Sequence, residues 1–437
     1  MNFSGHPKSR NILEAINPLI IFNRIAGLGT YRRPKQSVRS YSLVVMGTVV
    51  MNIAHCSAMF QGVKILLKKL DNFFETSPTA LAMATRMFEA LVIVNTSITV
   101  ISIVIVWTQR KAVRDCIWQM PLLDSKFKGI SKAWNNYGKF YRVVLGQVCG
   151  IALFMVIITT YDSTWISKFS AEVYDFLVIS TAFHHPILIM LLLDLNFYTL
   201  TSYLEHKFRY LNESLLEFVG TRNTNPQGQL QIVMPEIFLP ASTANKLKNM
   251  AVRNVARYYR NLLDDTRQAH LELSKFARKV NATFGIQNLV SMGVSFAMIT
   301  GLLYNSYFSF HYHSQSSLRN VTYFDAISPI WLAIYIFKIW RINSSCGRVS
   351  REALKTGQVI YEILTLTLDN DLQMEIRKFS LQMLQNPTRF DACGLFTLDF
   401  SLIQGMVGSI TTYLVILIQM STADMPTVDN LANDTEI

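Results

Sequence analysis

The sequence predicts an all-α, polytopic membrane protein with seven spanning helices, its N-terminus in the cytoplasm and its C-terminus outside the cell. Three observations predict it. Half of the 437 residues are hydrophobic and only 16% are charged, against roughly 25% charged in soluble domains. Apolar runs long enough to cross a hydrocarbon core recur along the chain. Basic residues concentrate in alternate connecting segments, as the positive-inside rule requires.

The N-terminal segment, 1–40, is basic. Lys8, Arg10, Arg24, Arg32, Arg33, Lys35 and Arg39 stand against a single acid, Glu14. That imbalance places it in the cytoplasm. It lacks an apolar run of leader length followed by small residues, so no cleavable signal peptide is expected. The short apolar piece Pro18 to Phe22 is expected at the membrane interface.

Spanning helices are expected at Tyr41–Leu67, Phe88–Trp107, Tyr141–Tyr161 and Val173–Leu200, within residues 41–200. Two more are expected within 282–340, at Ala282–Tyr307 and Phe324–Trp340, and the last at Phe400–Met420. Loop 108–140 holds Arg110, Lys111, Arg114, Lys126, Lys128, Lys132 and Lys139, and reads as cytoplasmic. Loops 162–172 and 308–323 hold only Lys168 and Arg319 as bases and read as external. The tail, 421–437, holds Asp424, Asp429, Asp434 and Glu436 with no base, and reads as extracellular. Loop 68–87, with Lys68, Lys69 and Arg86, is the exception to the pattern. Sequons at Asn320 and Asn433 fall outside on this topology and are glycosylation candidates.

Residues 201–281 form the longest cytoplasmic stretch. After a polar insert at 221–228, Val252, Val255, Tyr259, Leu262, Thr266, Ala269, Leu273, Phe276 and Val280 repeat by threes and fours. This is a heptad seam of period 3.5. It runs straight into the fifth spanning helix, so one long helix is expected to leave the membrane as a stalk. The seam packs either within one subunit or between subunits. Residues 341–399 carry a second cytoplasmic helix over Tyr361–Gln385, with Leu364, Leu368, Leu372, Ile376, Phe379 and Met383 on one face and Pro387 ending it.

The last helix, 400–420, is uncharged yet two-faced. At 100° per residue Ser401, Gly405, Gly408, Thr412 and Gln419 share one stripe, edged by Val415 and Ile416; Leu, Tyr and Ile fill the other side. A small, polar stripe in a spanning helix belongs against protein or water. One reading is close helix packing. The other is a pore wall, with Thr412 and Gln419 facing ions and Val415 or Ile416 forming an apolar constriction that gates by dewetting.

The run Thr412-Tyr413-Leu414-Val415-Ile416-Leu417-Ile418-Gln419 resembles the C-terminal signature of insect gustatory receptors, Thr-Tyr, five apolar residues and Gln. Met420 stands where the family usually has Phe. The preceding run Phe390-Asp391-Ala392-Cys393-Gly394-Leu395-Phe396-Thr397-Leu398-Asp399 is also similar to that family. The resemblance covers the last quarter of the chain and, in hydropathy only, the rest. It implies a ligand-gated, non-selective cation channel of four like subunits, or a heteromer with related receptors, with this helix at the pore. Its partners would be a small-molecule tastant, membrane lipid and permeant cations. Its place would be the plasma membrane of a sensory neuron's dendrite. Sugar-tuned members tend to carry an acid early in the five apolar residues. Leu414 to Ile418 has none, which points away from the main sugar-receptor group toward fructose-like, bitter or other tuning.

A ligand pocket is expected in the outer half of the first six spanning helices. Its candidates are Trp331, Asp325, Tyr304, Tyr161, Trp165 and His184, aromatics and hydrogen-bonding groups that suit small amphipathic ligands. Trp and Tyr at helix ends also serve as interface anchors. Asp194, in the inner part of the fourth helix, is costly there unless paired or solvated. Lys338 is its expected structural partner.

No Gly-rich phosphate loop, HExxH or nucleophile elbow supports an enzyme, and no metal or cofactor motif is found. The net charge of +12 follows from membrane topology and does not suggest nucleic acid. A G-protein-coupled receptor would show the opposite charge asymmetry, and a small-solute transporter would more often show internal repeats.

Overall fold

The computed structural model describes residues 11–29, 38–74, 79–130, 137–169, 172–220, 241–313, 322–366 and 370–423. Among them every regular element is a helix: α1 (Ile12–Ala15), α2 (Asn17–Ile25), α3 (Val38–Phe74), α4 (Thr79–Lys126), α5 (Gly138–Phe169), α6 (Val173–Gly220), α7 (Ala241–His313), α8 (Thr322–Leu366), α9 (Asn370–Gln385) and α10 (Phe400–Ala423). Among the described residues, six stretches are long and apolar enough to cross a membrane: Arg39–Lys69, Glu89–Lys126, Gly138–Thr164, Val173–Leu216, Arg260–Tyr307 and Phe400–Met420. The helix over 322–366 packs on α6 and α7 beside them.

The helices outrun the expected spans. α4 continues through much of the 108–140 segment because Cys116, Met120 and Leu123 keep an apolar face there, each at most 4% exposed. α7 runs 73 residues, so the stalk and the fifth span are one helix. From residue 260 onward its seam closes within the chain. Thr266, Ala269, Leu273, Phe276 and Val280 are fully buried, with Phe276 edge-on to Tyr203 of α6.

In the periodic stretch 361–385 the described residues are helical over 361–366, at the end of α8, and over 370–385, as α9. The piece Pro18 to Phe22 lies inside α2, started by its proline. Leu19 and Asn23 are buried in the bundle while Ile21 and Ile25 face outward. Asn23 and Asn196 exchange amide hydrogen bonds of 2.7 and 3.0 Å, which tie α2 to α6.

Burial sets the layering. The apolar windows of α6 and α7 are each 61% buried, that of α10 only 6%. α6 and α7 are the axis of the bundle, and α10 clings to its outside.

Candidate functional site

α10 starts on a cap. The Ser401 N–H donates to Asp399 Oδ1 at 2.9 Å, and the Ser401 hydroxyl donates to the same oxygen. These bonds satisfy a donor that the first turn leaves orphaned. They hold the Asp399 carboxyl below the usual carboxylate range, the serine hydroxyl first among the causes. One face of α10 then docks on α7 and α8: Met406 and Ile410 are buried, and Tyr413 stands edge-on to Phe296, ring centroids 5.8 Å apart.

The other face touches nothing in its own chain along the glycines. A Cβ added at Gly405 or Gly408 would meet no atom within 4 Å. Thr412, Val415, Ile416, Gln419 and Met420 are all exposed along the same side, Val415 and Ile416 by nearly half. The small residues therefore do not serve close packing inside the subunit. Thr412 returns its hydroxyl to the Gly408 carbonyl at 3.1 Å, so the stripe's polarity is partly internal to the helix.

The segment before α10 ties it to the bundle axis. Residues 390–398 fold back on themselves, with the Ala392 N–H on the Phe396 carbonyl and the Leu398 N–H on the Phe390 carbonyl, both at 2.9 Å. Cys393 and Gly394 make the reversal in left-handed backbone, φ 55° and 74°, which only the glycine adopts without strain. The Asp391 N–H donates to Asn281 Oδ1 of α7 at 3.0 Å. Phe390 is buried edge-on to Phe197 of α6, which in turn meets Phe284 of α7. Packed rings thus connect α6 and α7 to the root of α10.

Asp194 and Lys338 are brought together. Lys338 Nζ lies 3.5 Å from Asp194 Oδ2, and the Ser291 hydroxyl donates to Asp194 Oδ1 at 3.1 Å. Arg341 covers the Tyr198 ring at 4.1 Å nearby.

The ligand candidates are scattered. His184 Nε2 lies 2.9 Å from Asp162 of α5, within hydrogen-bond reach. Tyr304 is buried and Trp331 packs half-buried at the core edge, on either side of the Ser306–Ser328 hydroxyl contact of 2.8 Å that joins α7 to α8. Tyr161 is 40% exposed on the outside of the chain. The side chains of Trp165 and Asp325 lie outside the described ones, and Asn320 and Asn433 lie outside the described residues.

Sequence reasoning missed a buried polar cluster at the α9 end of the bundle. Lys207 Nζ, 1% exposed, reaches Asp124 Oδ1 at 2.8 Å and donates to the Tyr137 hydroxyl at 3.0 Å. The Tyr203 hydroxyl donates to Asp124 Oδ1 at 2.9 Å, and Tyr137 bonds the same carboxylate. Burial, followed by the Asp124 charge, pushes the Tyr137 hydroxyl well above its ordinary range. These residues come from α4, α6 and the start of α5, and nothing in their local sequence links them.

Comparison with known proteins completes the description. The family described as 7tm Chemosensory receptor matches residues 16–424. The gustatory receptor for bitter taste 66a of Drosophila melanogaster is 28% identical over 184 residues, 42% of this chain and 35% of that one. The gustatory receptor for sugar taste 43a of the same organism is 27% identical over 184 residues, 41% of this chain and 38% of that one. The matches thus span little more than a third of these relatives' length. The insect olfactory receptor OR5 from Machilis hrabei, solved in complex with eugenol, shares the fold with a TM-score of 0.58 at 11% identity, covering 93% of this chain and 97% of that one.

Proposed function

Because the chain belongs to the 7tm chemosensory receptor family, we propose that this membrane protein is a taste receptor that is itself the channel. Four copies, or copies mixed with related receptors, surround an axis in the plasma membrane of a sensory neuron's dendrite. Seven helices of each copy cross the bilayer, α8 included, with the N-terminus inside and the C-terminus outside. Glycans at Asn320 and Asn433 would then face outward. The α7 stalk, the lower half of α8 and α9 form the cytoplasmic anchor.

One observation carries the reading: the small, polar stripe of α10 has no partner in its own chain at Gly405 and Gly408. Copies arranged around an axis give that stripe water to face. Val415 and Ile416 then form the constriction. Gln419 and Met420 sit at the outer mouth, where uncharged amides admit cations without strong selectivity. A small extracellular molecule opens the pore by binding more tightly to the open state. Relatives named for bitter and for sugar taste support a tastant as that molecule, and Trp331, Asp325, Tyr304, Tyr161, Trp165 and His184 are the contacts to probe. The work is binding and conduction, with no catalytic step.

The test is tastant-evoked current in cells that express this chain alone, with an epitope tag after Ile437. The reading expects current, staining of the tag on intact cells, and loss of current in Gly408→Leu at unchanged surface staining. A tag stained only after permeabilisation would reverse the topology and remove the pore assignment.

A further inference from the structure

α6 and α8 are joined by polar pairs that repeat at a fixed separation along the chain. Asp194 stands beside Lys338 at 3.5 Å, and Arg341 covers the Tyr198 ring at 4.1 Å. Further along, the Thr201 and Ser345 hydroxyls meet at 2.7 Å. Arg348 Nε then donates to Glu205 Oε2 at 2.9 Å, and the Thr356 hydroxyl donates to Asn212 Oδ1 at 2.7 Å. Every pair is 143 or 144 residues apart. A constant offset means that the two helices run parallel and rise together. On α6 the first four rungs are spaced by four, three and four residues, and on α8 by three, four and three. That is the 3.5-residue period of a coiled-coil seam. From Asp194 to Asn212 the ladder covers about 27 Å of helix at 1.5 Å per residue.

From this ladder we infer a register clamp. It fixes one alignment of α8 on α6, and the two helices keep that alignment in the closed and the open receptor, moving as one body. The rungs lie in the interior. Thr201, Ser345 and Thr356 are fully buried, and Asn212 is 1% exposed. A buried polar group left without its partner is costly, and a buried charge more so. Sliding α8 by one turn strands all of these groups together. It also sets like charges level with each other. Arg209 lies 2.6 Å from Glu205 and 3.9 Å from Glu352, so acids and bases alternate across the seam in the observed register. One turn in one direction brings Glu352 level with Glu205, and one turn in the other brings Arg348 level with Arg209.

The same cost extends the clamp to the open state. A ligand shifts a conformational equilibrium by no more than its differential affinity for the two states. Breaking every rung at once asks far more of a small molecule than displacing the intact pair against its neighbours. The alignment at rest stands on the ladder alone; only the open-state half rests on the channel reading.

Disulfide trapping in the full-length receptor tests it. Thr201→Cys with Ser345→Cys puts two thiols in place of two hydroxyls that already touch. Tyr198→Cys with Ser345→Cys is one turn out of register, and Thr201→Cys alone controls for the native Cys346. Linkage is read by mass spectrometry of purified protein under mild oxidant, alone and with saturating D-fructose or quinine. The in-register pair is expected to link at least about tenfold faster than the other in every condition, because a disulfide tolerates little change in separation. Current evoked in cells by the same compounds is expected to be equal before and after reduction of the linked receptor. An out-of-register pair that links as fast as the in-register pair overturns the clamp. So does a linked receptor whose current is lost and returns on reduction, because α8 then has to shift on α6 to open the pore. If the first pair does not reach the surface, Asn212→Cys with Thr356→Cys is read in the same way. A wild type that passes no current removes the channel reading and leaves the clamp to the linkage rates, which need no current.

Discussion

Asp194 Oδ2 stands 3.5 Å from Lys338 Nζ across the α6–α8 contact, and neither atom has a hydrogen bond. Both side chains are at most 10% exposed, so each charge relies on the other. Removing one partner of a buried pair typically costs about 3–5 kcal/mol, whereas replacing both by apolar groups is near neutral. Asp194→Asn is expected to lower the thermal midpoint and surface expression sharply, and Asp194→Leu with Lys338→Met to recover most of the loss. Unchanged expression and midpoint in Asp194→Asn would remove the pair from the account.

The cap of α10 gives a pH dependence. The folded Asp399 carboxyl titrates below the unfolded one, so its stabilising contribution is fully present above the unfolded value. That contribution is lost as pH falls through the folded value. Asp399→Ala is expected to cost about 1 kcal/mol at neutral pH, and the gap to wild type to close in acid. Midpoints of detergent-purified protein across pH 2 to 7 check this; a constant gap at all pH would mean the carboxylate is not the cap.

Phe379 of α9 is fully buried against His270 of α7, while Leu384 on the same helix is 78% exposed. Phe379→Ala is expected to cost about 3–5 kcal/mol, and Leu384→Ala less than about 0.5 kcal/mol within one subunit. Equal losses would show that α9 is packed differently.

These cases also show what could be read before the structure. Six of the expected spans were legible as long apolar helices because hydropathy is a property of single segments. Asp194 and Lys338 stood out because each is a lone charge in an apolar run. The stripe of α10 was legible from its 100° phase, though only the structure showed that its glycines meet nothing in their own chain. The extension of α4 was not legible, since Arg110 to Arg114 reads as a loop by charge and continues a helix by packing. The cluster of Asp124, Tyr137, Tyr203 and Lys207 was hidden for another reason. Its members are up to 83 residues apart (Asp124 to Lys207), and each alone looks like an ordinary polar residue beyond a membrane edge. Tyr161 shows the remaining gap: a helix's phase relative to its neighbours decides whether an aromatic enters the bundle, and one sequence does not state that phase.

The central claim is that the α10 stripe faces a water-filled axis. Single cysteines at Thr412, Ile416 and Gln419, and at Met406 and Ile410 on the docked face, would be exposed to a charged, membrane-impermeant thiol reagent during tastant-evoked current. Wild type, with its own five cysteines, is the control. The account predicts block at Thr412, Ile416 and Gln419 and none at Met406 or Ile410. Intact current with no block at the three stripe positions would place that face against lipid or protein and contradict the pore.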